Sequence, residues 1–206
     1  MAFDVPIYYL AIDILESATP DFPRRIQPVE PASAWYVLRI TYQRELSVRD
    51  KLNKLGVENF VPTQRVRRRT PQGRFYYSEE AAVHNYVFVR TTPMMLRALK
   101  REQLRELRYV MQTIDGFSRF LVVPDDQMRN FIAVAGNSEE RILFLPPDTV
   151  DWSRGQRVRI LGGPFEGVEG TFLRISKKHE RRVVVQIAGL VAVATTALPA
   201  CLVERV

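Results

Sequence analysis

One cysteine and two histidines are present in 206 residues. A single thiol, Cys201, cannot close an internal disulfide, and three such side chains are too few for a structural zinc site built from nitrogen and sulfur ligands. No apolar run approaches membrane-spanning length. The apolar stretch in residues 1–20 is interrupted by Asp4 and Asp13, with no basic residue before it, so neither a membrane helix nor a secretory leader is expected. Also missing are a phosphate-cradling glycine loop, a paired-glycine dinucleotide fingerprint, and any Ser, His or Cys in a nucleophile's context. The adjacent carboxylates Glu79–Glu80 and Asp125–Asp126 fall beside a turn and at a helix start, where turn and capping roles explain them. These absences point to a cytoplasmic protein without catalysis, metal or cofactor, and a monomer is expected.

Acidic residues are the scarcer charge, 23 against 30 lysines and arginines, giving a net charge of +7. The deficit is uneven: residues 1–34 hold two basic and five acidic side chains, a net of −3, so residues 35–206 carry +10. A basic body favours a polyanionic partner through long-range attraction and counterion release. With 46% hydrophobic residues the chain has enough apolar surface for one large or two small cores.

Four prolines in "PDFPRRIQPVEPASA" (20–34) mark residues 1–34 as an extension ending in a proline-rich linker. From Trp35 the periodicities sharpen. "WYVLRITY" reads as a strand; Val48, Leu52 and Leu55 follow at helical spacing and Gly56 stops the helix. Strands surround the turn "PQG" (71–73), and "NYVFV" (85–89) reads as a buried strand. A second helix is expected over roughly 93–107, then two strands, then a helix in 124–136 with acidic residues in its first turn. This order predicts an α+β domain at 35–136, a mainly antiparallel sheet with packed helices. Residues 137–153, with Pro146 and Pro147, read as a second linker. Residues 154–206 supply five short strands, which bury a core most economically as a small closed β-barrel. The valines of "VVVQIAGLVAVATT" favour strands over helix there.

The stretch "RGQRVRILGGPFEGVEGTFLRI" (154–175) closely resembles a KOW motif, the glycine-centred strand–loop–strand of NusG-type elongation factors and several ribosomal proteins. Gly163, Gly167 and Gly170 stand where tight corners are needed, Pro164 stiffens the loop and Phe165 is placed to cover one end of the barrel. "WYVLRITYQRELSVRDKLNKLGVENFVPTQRVRRR" and "HNYVFVR" resemble the NusG amino-terminal (NGN) domain. The basic hairpin and "VPDDQMRNFIAVAG" are similar to specialised NusG paralogues of the UpxY type. The resemblance implies a NusG-type antiparallel sheet followed by an SH3-like KOW barrel. It implies a factor that binds the clamp region of RNA polymerase and promotes processive antitermination, in the UpxY group on long polysaccharide operons. Through the barrel it implies the ribosome or the termination factor Rho as partner. The alternative is an RNA-binding ribosomal or assembly protein using its KOW module on rRNA.

The resemblance also places candidate sites. Phe60, Val61, Pro62, Tyr86 and Phe88 correspond to the apolar patch that seats the polymerase clamp helices, and Arg97 and Lys100 to a second polymerase contact. Each aromatic ring can equally fill the core beneath the helices. Gln43, Arg44 and Arg49, at the start of the first helix, are candidates for the non-template DNA strand. In "RVRRRTPQGR", Arg65, Arg67 and Arg69 alternate onto one strand face while Arg68 points the other way, and Arg74 follows the turn. These five arginines are candidates for phosphate contact, against the plain reading of a solvated arm.

Overall fold

The computed structural model describes residues 32–137, 140–175 and 180–206. Residues 1–31, most of the expected extension, lie outside the described residues.

The first half of the chain runs β1 (Ala34–Arg39), α1 (Glu45–Lys54), β2 (Asn59–Phe60), β3 (Thr63–Arg69), β4 (Phe75–Ala81), β5 (Tyr86–Thr91), α2 (Pro93–Ala98), β6 (Arg108–Tyr109), β7 (Met111–Ile114), β8 (Phe117–Phe120), β9 (Val122–Val123) and α3 (Asp125–Ala135). The main sheet has the order β2-β5-β1-β6, with β9 also against β1, and every pairing is antiparallel. Two hairpins, β3–β4 and β7–β8, pair only within themselves.

Local chemistry explains the boundaries. Helix α1 buries Val48 and Leu52 and ends before Gly56, whose φ of +67° suits glycine. Leu55, expected on the buried face, lies just past the last helical turn and is exposed. Helix α2 starts with Pro93 in its first turn, and the Thr92 hydroxyl accepts from the Met95 amide at 3.3 Å. It continues into a π-helical turn over Leu99–Gln103.

Strand alternation divides the main sheet cleanly. Tyr36, Leu38, Val87 and Val89 face α1 and α2 in one core, while Val37 and Phe88 face Phe131 of α3 in another.

The second half contains β10 (Leu143–Leu145), β11 (Gln156–Ile160), β12 (Glu169–Arg174), β13 (Arg181–Ile187), β14 (Val191–Ala194) and β15 (Val203–Arg205). They form one antiparallel sheet in the order β10-β14-β13-β12-β11-β15. Two expectations change here. The segment expected as a linker, 137–153, contributes β10, because the short apolar run Leu143–Leu145 pairs with β14, and Ile142 and Phe144 are partly buried against the core. A closed barrel is not shown: the strand order is an open path with β10 and β15 at its ends. The sheet covers its apolar faces by other means. Val183, Val185, Ile187 and Val193 join the α3 core, while Val184, Ala192 and Ala194 pack with Leu145, Val150 and Trp152 on the opposite side. Burial on both faces explains why β13 reads as an almost unbroken valine run.

Helix α3 is therefore shared. Met128, Phe131 and Val134 belong to a core that extends from Trp35 to Val193, and the Asn130 side-chain oxygen accepts from the Glu169 amide at 3.1 Å. Residues 32–206 form one compact unit.

Candidate protein and nucleic-acid interfaces

The end of the main sheet is built around a strained turn. Tyr42 and Gln43 both adopt left-handed backbone, φ +64° and +54°, which costs non-glycine residues and persists only when surroundings impose it. The imposing contacts are visible. Buried Glu45, the first residue of α1, accepts the Asn85 amide at 2.6 Å, and the Ile40 amide donates to the Asn85 carbonyl at 2.9 Å. These bonds clamp the turn after β1 to the turn before β5, so the backbone between them has no extended route. The result holds Tyr42 outward at 84% exposure with the Arg44 guanidinium 5.8 Å from its ring centre. Gln43 and Arg44 are exposed beside it.

Next to this turn, three side chains lie in a row across the strands. Arg39 of β1 is opposite Tyr86 of β5 on one side and Arg108 of β6 on the other. Two like charges directly opposite in an antiparallel pair repel. Both arginines are exposed, and among the described residues neither has a carboxylate partner. Tyr86 is half-buried at the margin of the α3 core.

The other expected docking residues are placed inside. Phe88 is fully buried, tilted against Phe131 with ring centres 5.5 Å apart, and Val61 and Pro62 are buried. Phe60 packs edge-on to Phe131 at 5.9 Å and is half-buried. Helix α3 covers Phe88 on this side of the sheet, and of the five expected docking residues Tyr86 and part of Phe60 reach the surface. Arg97 and Lys100 lie over the chain's own rings, 5.3 Å from the Phe120 centroid and 4.5 Å from the Tyr109 centroid. The alternation of β5 and the helix in 124–136 were legible in sequence; that this helix lies over Phe88 was not.

The hairpin β3–β4 carries the expected arginines in a definite pattern. Its register sets Arg65 opposite Glu79, Arg67 opposite Tyr77 and Arg69 opposite Phe75. Arg67 lies 3.7 Å from the Phe75 ring centre, Arg65 5.1 Å from that of Tyr77, and Arg69 5.7 Å from that of Phe75. Phe75 and Tyr77 were not among the sequence candidates, although "RFYY" beside an arginine run was the available signal. On the opposite face Arg68 makes a bidentate pair with Glu80, both bonds 2.8 Å.

Arg49 also has an internal role. Its guanidinium donates to Glu79 at 2.9 Å and to Asp50 at 3.1 Å, tying α1 to the base of the hairpin. The hydrogen bond from Arg49 holds the Glu79 carboxyl below its ordinary pKa. A pair this exposed contributes at most about 1 kcal/mol.

In the glycine loop, Gly163 and Gly167 have φ of +86° and +81°, and the Gly167 amide donates to the Ile160 carbonyl at 2.8 Å. Phe165 is almost fully buried in the shared core and Pro164 is exposed. Gly170 is required for a different reason: a Cβ there would lie 2.7 Å from both the Val184 carbonyl oxygen and a Val183 methyl.

Among the described residues no three His, Cys, Asp or Glu side chains gather as metal ligands, and no helix is long and apolar enough to cross a membrane. The surface thus offers two polar contact regions: the Tyr42–Arg44 turn with the Tyr86–Arg39–Arg108 row, and the arginine–aromatic hairpin.

No curated protein sequence matches the chain. The family comparison does give a match, and it covers the main sheet and the hairpins together with most of α3. Over residues 33–132, the chain is similar to the NusG family, matching the family model described as transcription termination factor nusG.

Proposed function

We propose that the protein is a non-enzymatic, cytoplasmic transcription elongation factor of the NusG type that binds RNA polymerase as a monomer and promotes antitermination. The match over residues 33–132 carries this reading, since NusG-family factors generally interact with RNA polymerase. UpxY-type action on long polysaccharide operons is the finer form of the proposal, supported by the basic hairpin and the α3 sequence. The strand–loop–strand from β11 to β12, with its left-handed glycines, supports a KOW-type module that recruits the ribosome or Rho.

The docking surface for the polymerase clamp is the Tyr86–Arg39–Arg108 row. The repulsion between the two arginines is relieved when a partner carboxylate sits between them, so the site selects an acidic, partly apolar helical tip. Gln43 and Arg44 on the strained turn face the non-template DNA strand. Action on elongation is a population shift: the factor favours the closed, elongating polymerase only by binding it more tightly than paused states. About 1.4 kcal/mol of such preference is tenfold in the equilibrium.

Arg39→Glu separates docking from folding. It replaces a repulsive cross-strand pair by an attractive one with Arg108, so the melting temperature should hold or rise. Affinity for a reconstituted elongation complex should fall roughly tenfold or more, because the site now repels its acidic partner. Binding that is unchanged in this variant, or recovery of ribosomal particles without polymerase by the unaltered chain, contradicts the proposal.

A further inference from the structure

We infer that the exposed face of the hairpin β3–β4 is a stacking platform for single-stranded nucleic acid, gripping bases with Phe75 and Tyr77 and phosphates with Arg65, Arg67 and Arg69. The inference rests on the reading of the chain as a transcription factor only for where such a strand comes from. The binding itself follows from the hairpin.

Strands β3 and β4 carry two glutamates, and both are satisfied: Glu80 by Arg68 on the opposite face and Glu79 by Arg49 of α1. The three arginines of the platform have no carboxylate partner among the described residues. The face thus carries a surplus of positive charge that the described residues do not neutralise, and it complements a polyanion.

The rings decide which polyanion. Phe75 and Tyr77 are 58% and 63% exposed, an unfavourable position for large apolar groups unless a ligand covers them. Both stand on the arginine face, and their guanidinium neighbours lie against them at 3.7 to 5.7 Å. An acidic peptide would need only the arginines. A duplex hides its base faces inside the stack. A single strand offers both phosphates and free π-faces, and binding by stacking on aromatic side chains within a basic track tolerates any sequence. Same-face residues recur about every 6.6–6.8 Å along a strand, a repeat that an extended nucleotide chain can follow.

The platform is also preorganised. Beyond the seven paired positions of the ladder, the turn is closed by the Thr70 amide donating to the Arg74 carbonyl at 2.8 Å and the Gly73 amide donating to the Thr70 carbonyl at 2.9 Å. Gly73 takes φ +87°, the left-handed residue that completes a bulged hairpin turn. The register that aligns rings with guanidiniums is therefore fixed before any ligand arrives.

The test uses the full chain and fluorescently labelled oligonucleotides, with anisotropy read against salt for a mixed-sequence single strand and for its duplex. The single strand should bind more tightly than the duplex. Phe75→Leu with Tyr77→Leu keeps apolar bulk and removes the π-faces; it should weaken single-strand binding roughly tenfold or more and leave the salt slope unchanged. Arg65→Gln, Arg67→Gln and Arg69→Gln together should lower the magnitude of that slope by about 2, since each neutralised phosphate contributes about 0.7. Duplex bound as tightly as single strand, an acidic peptide competing as well as an oligonucleotide, or leucine variants binding like the parent would overturn the inference. Polymerase docking measured alongside keeps the two readings apart: intact docking with any of those results removes only the platform.

Discussion

Phe131→Ala is expected to cost about 3–5 kcal/mol of stability, a large share of the roughly 5–15 kcal/mol that holds a typical domain together. The size follows from position. Phe131 is fully buried, meets Phe60 edge-on and Phe88 at a tilt, and lies in the core that runs from the main sheet through α3 into the second sheet. Truncation leaves a cavity bounded by elements from both halves, which cannot collapse without moving one sheet relative to α3. The loss should therefore be felt throughout the unit. The two tryptophans make this measurable, because Trp35 lies in the shared core at β1 and Trp152 in the small core behind the second sheet. Urea unfolding of single-tryptophan variants should give coincident midpoints in the parent, and Phe131→Ala should lower both. Two separate transitions, with only one of them shifted, would show that the halves do not share a core.

Gly170→Val is the second large effect. Gly170 pairs with Val158 in the β11–β12 ladder and its φ lies outside the left-handed region, so the cost of substitution is purely one of space. The new Cβ would meet the Val184 carbonyl oxygen and a Val183 methyl at 2.7 Å, and the backbone oxygen cannot step aside without breaking pairing between β12 and β13. Overpacking of a tight site costs about 1–3 kcal/mol and more where backbone must move; the upper end or beyond is expected here. Gly162→Ala is the internal control, since a Cβ there meets nothing within 4 Å. Thermal melts should show a large drop for the first variant and almost none for the second. Equal effects would mean that the loop, rather than the close approach of β12 to β13, makes glycine necessary.

Much of the architecture was legible because it is written in local periodicity. Strand β1, helix α1, strand β5 and helix α3 follow from alternation, helical spacing, Gly56 and the acidic first turn at Asp125. The hairpin was legible through its "PQG" turn, and the strands β13 and β14 through their valines. What escaped depends on partners distant in sequence. Phe88 looks like a docking ring until α3 is laid over it. The ladder of rings and guanidiniums exists only once the turn at Thr70–Arg74 fixes which residues of β4 stand beside Arg65, Arg67 and Arg69. The left-handed pair Tyr42–Gln43 contradicts local preference and is imposed by the Glu45–Asn85 clamp across 40 residues. The short run at Leu143–Leu145 was hidden between a glycine-ended helix and two prolines, and its pairing with β14 turns an expected tether into part of the second sheet.

The proposed function has this chain riding an elongating RNA polymerase and keeping it moving. Single-round transcription by purified polymerase, on a template bearing a strong pause and a terminator, tests it most directly when the full chain is added at increasing concentration. Shorter pause lifetimes and a several-fold rise in read-through product are expected, both lost with Arg39→Glu. A product distribution unchanged by saturating amounts of the folded chain would contradict it.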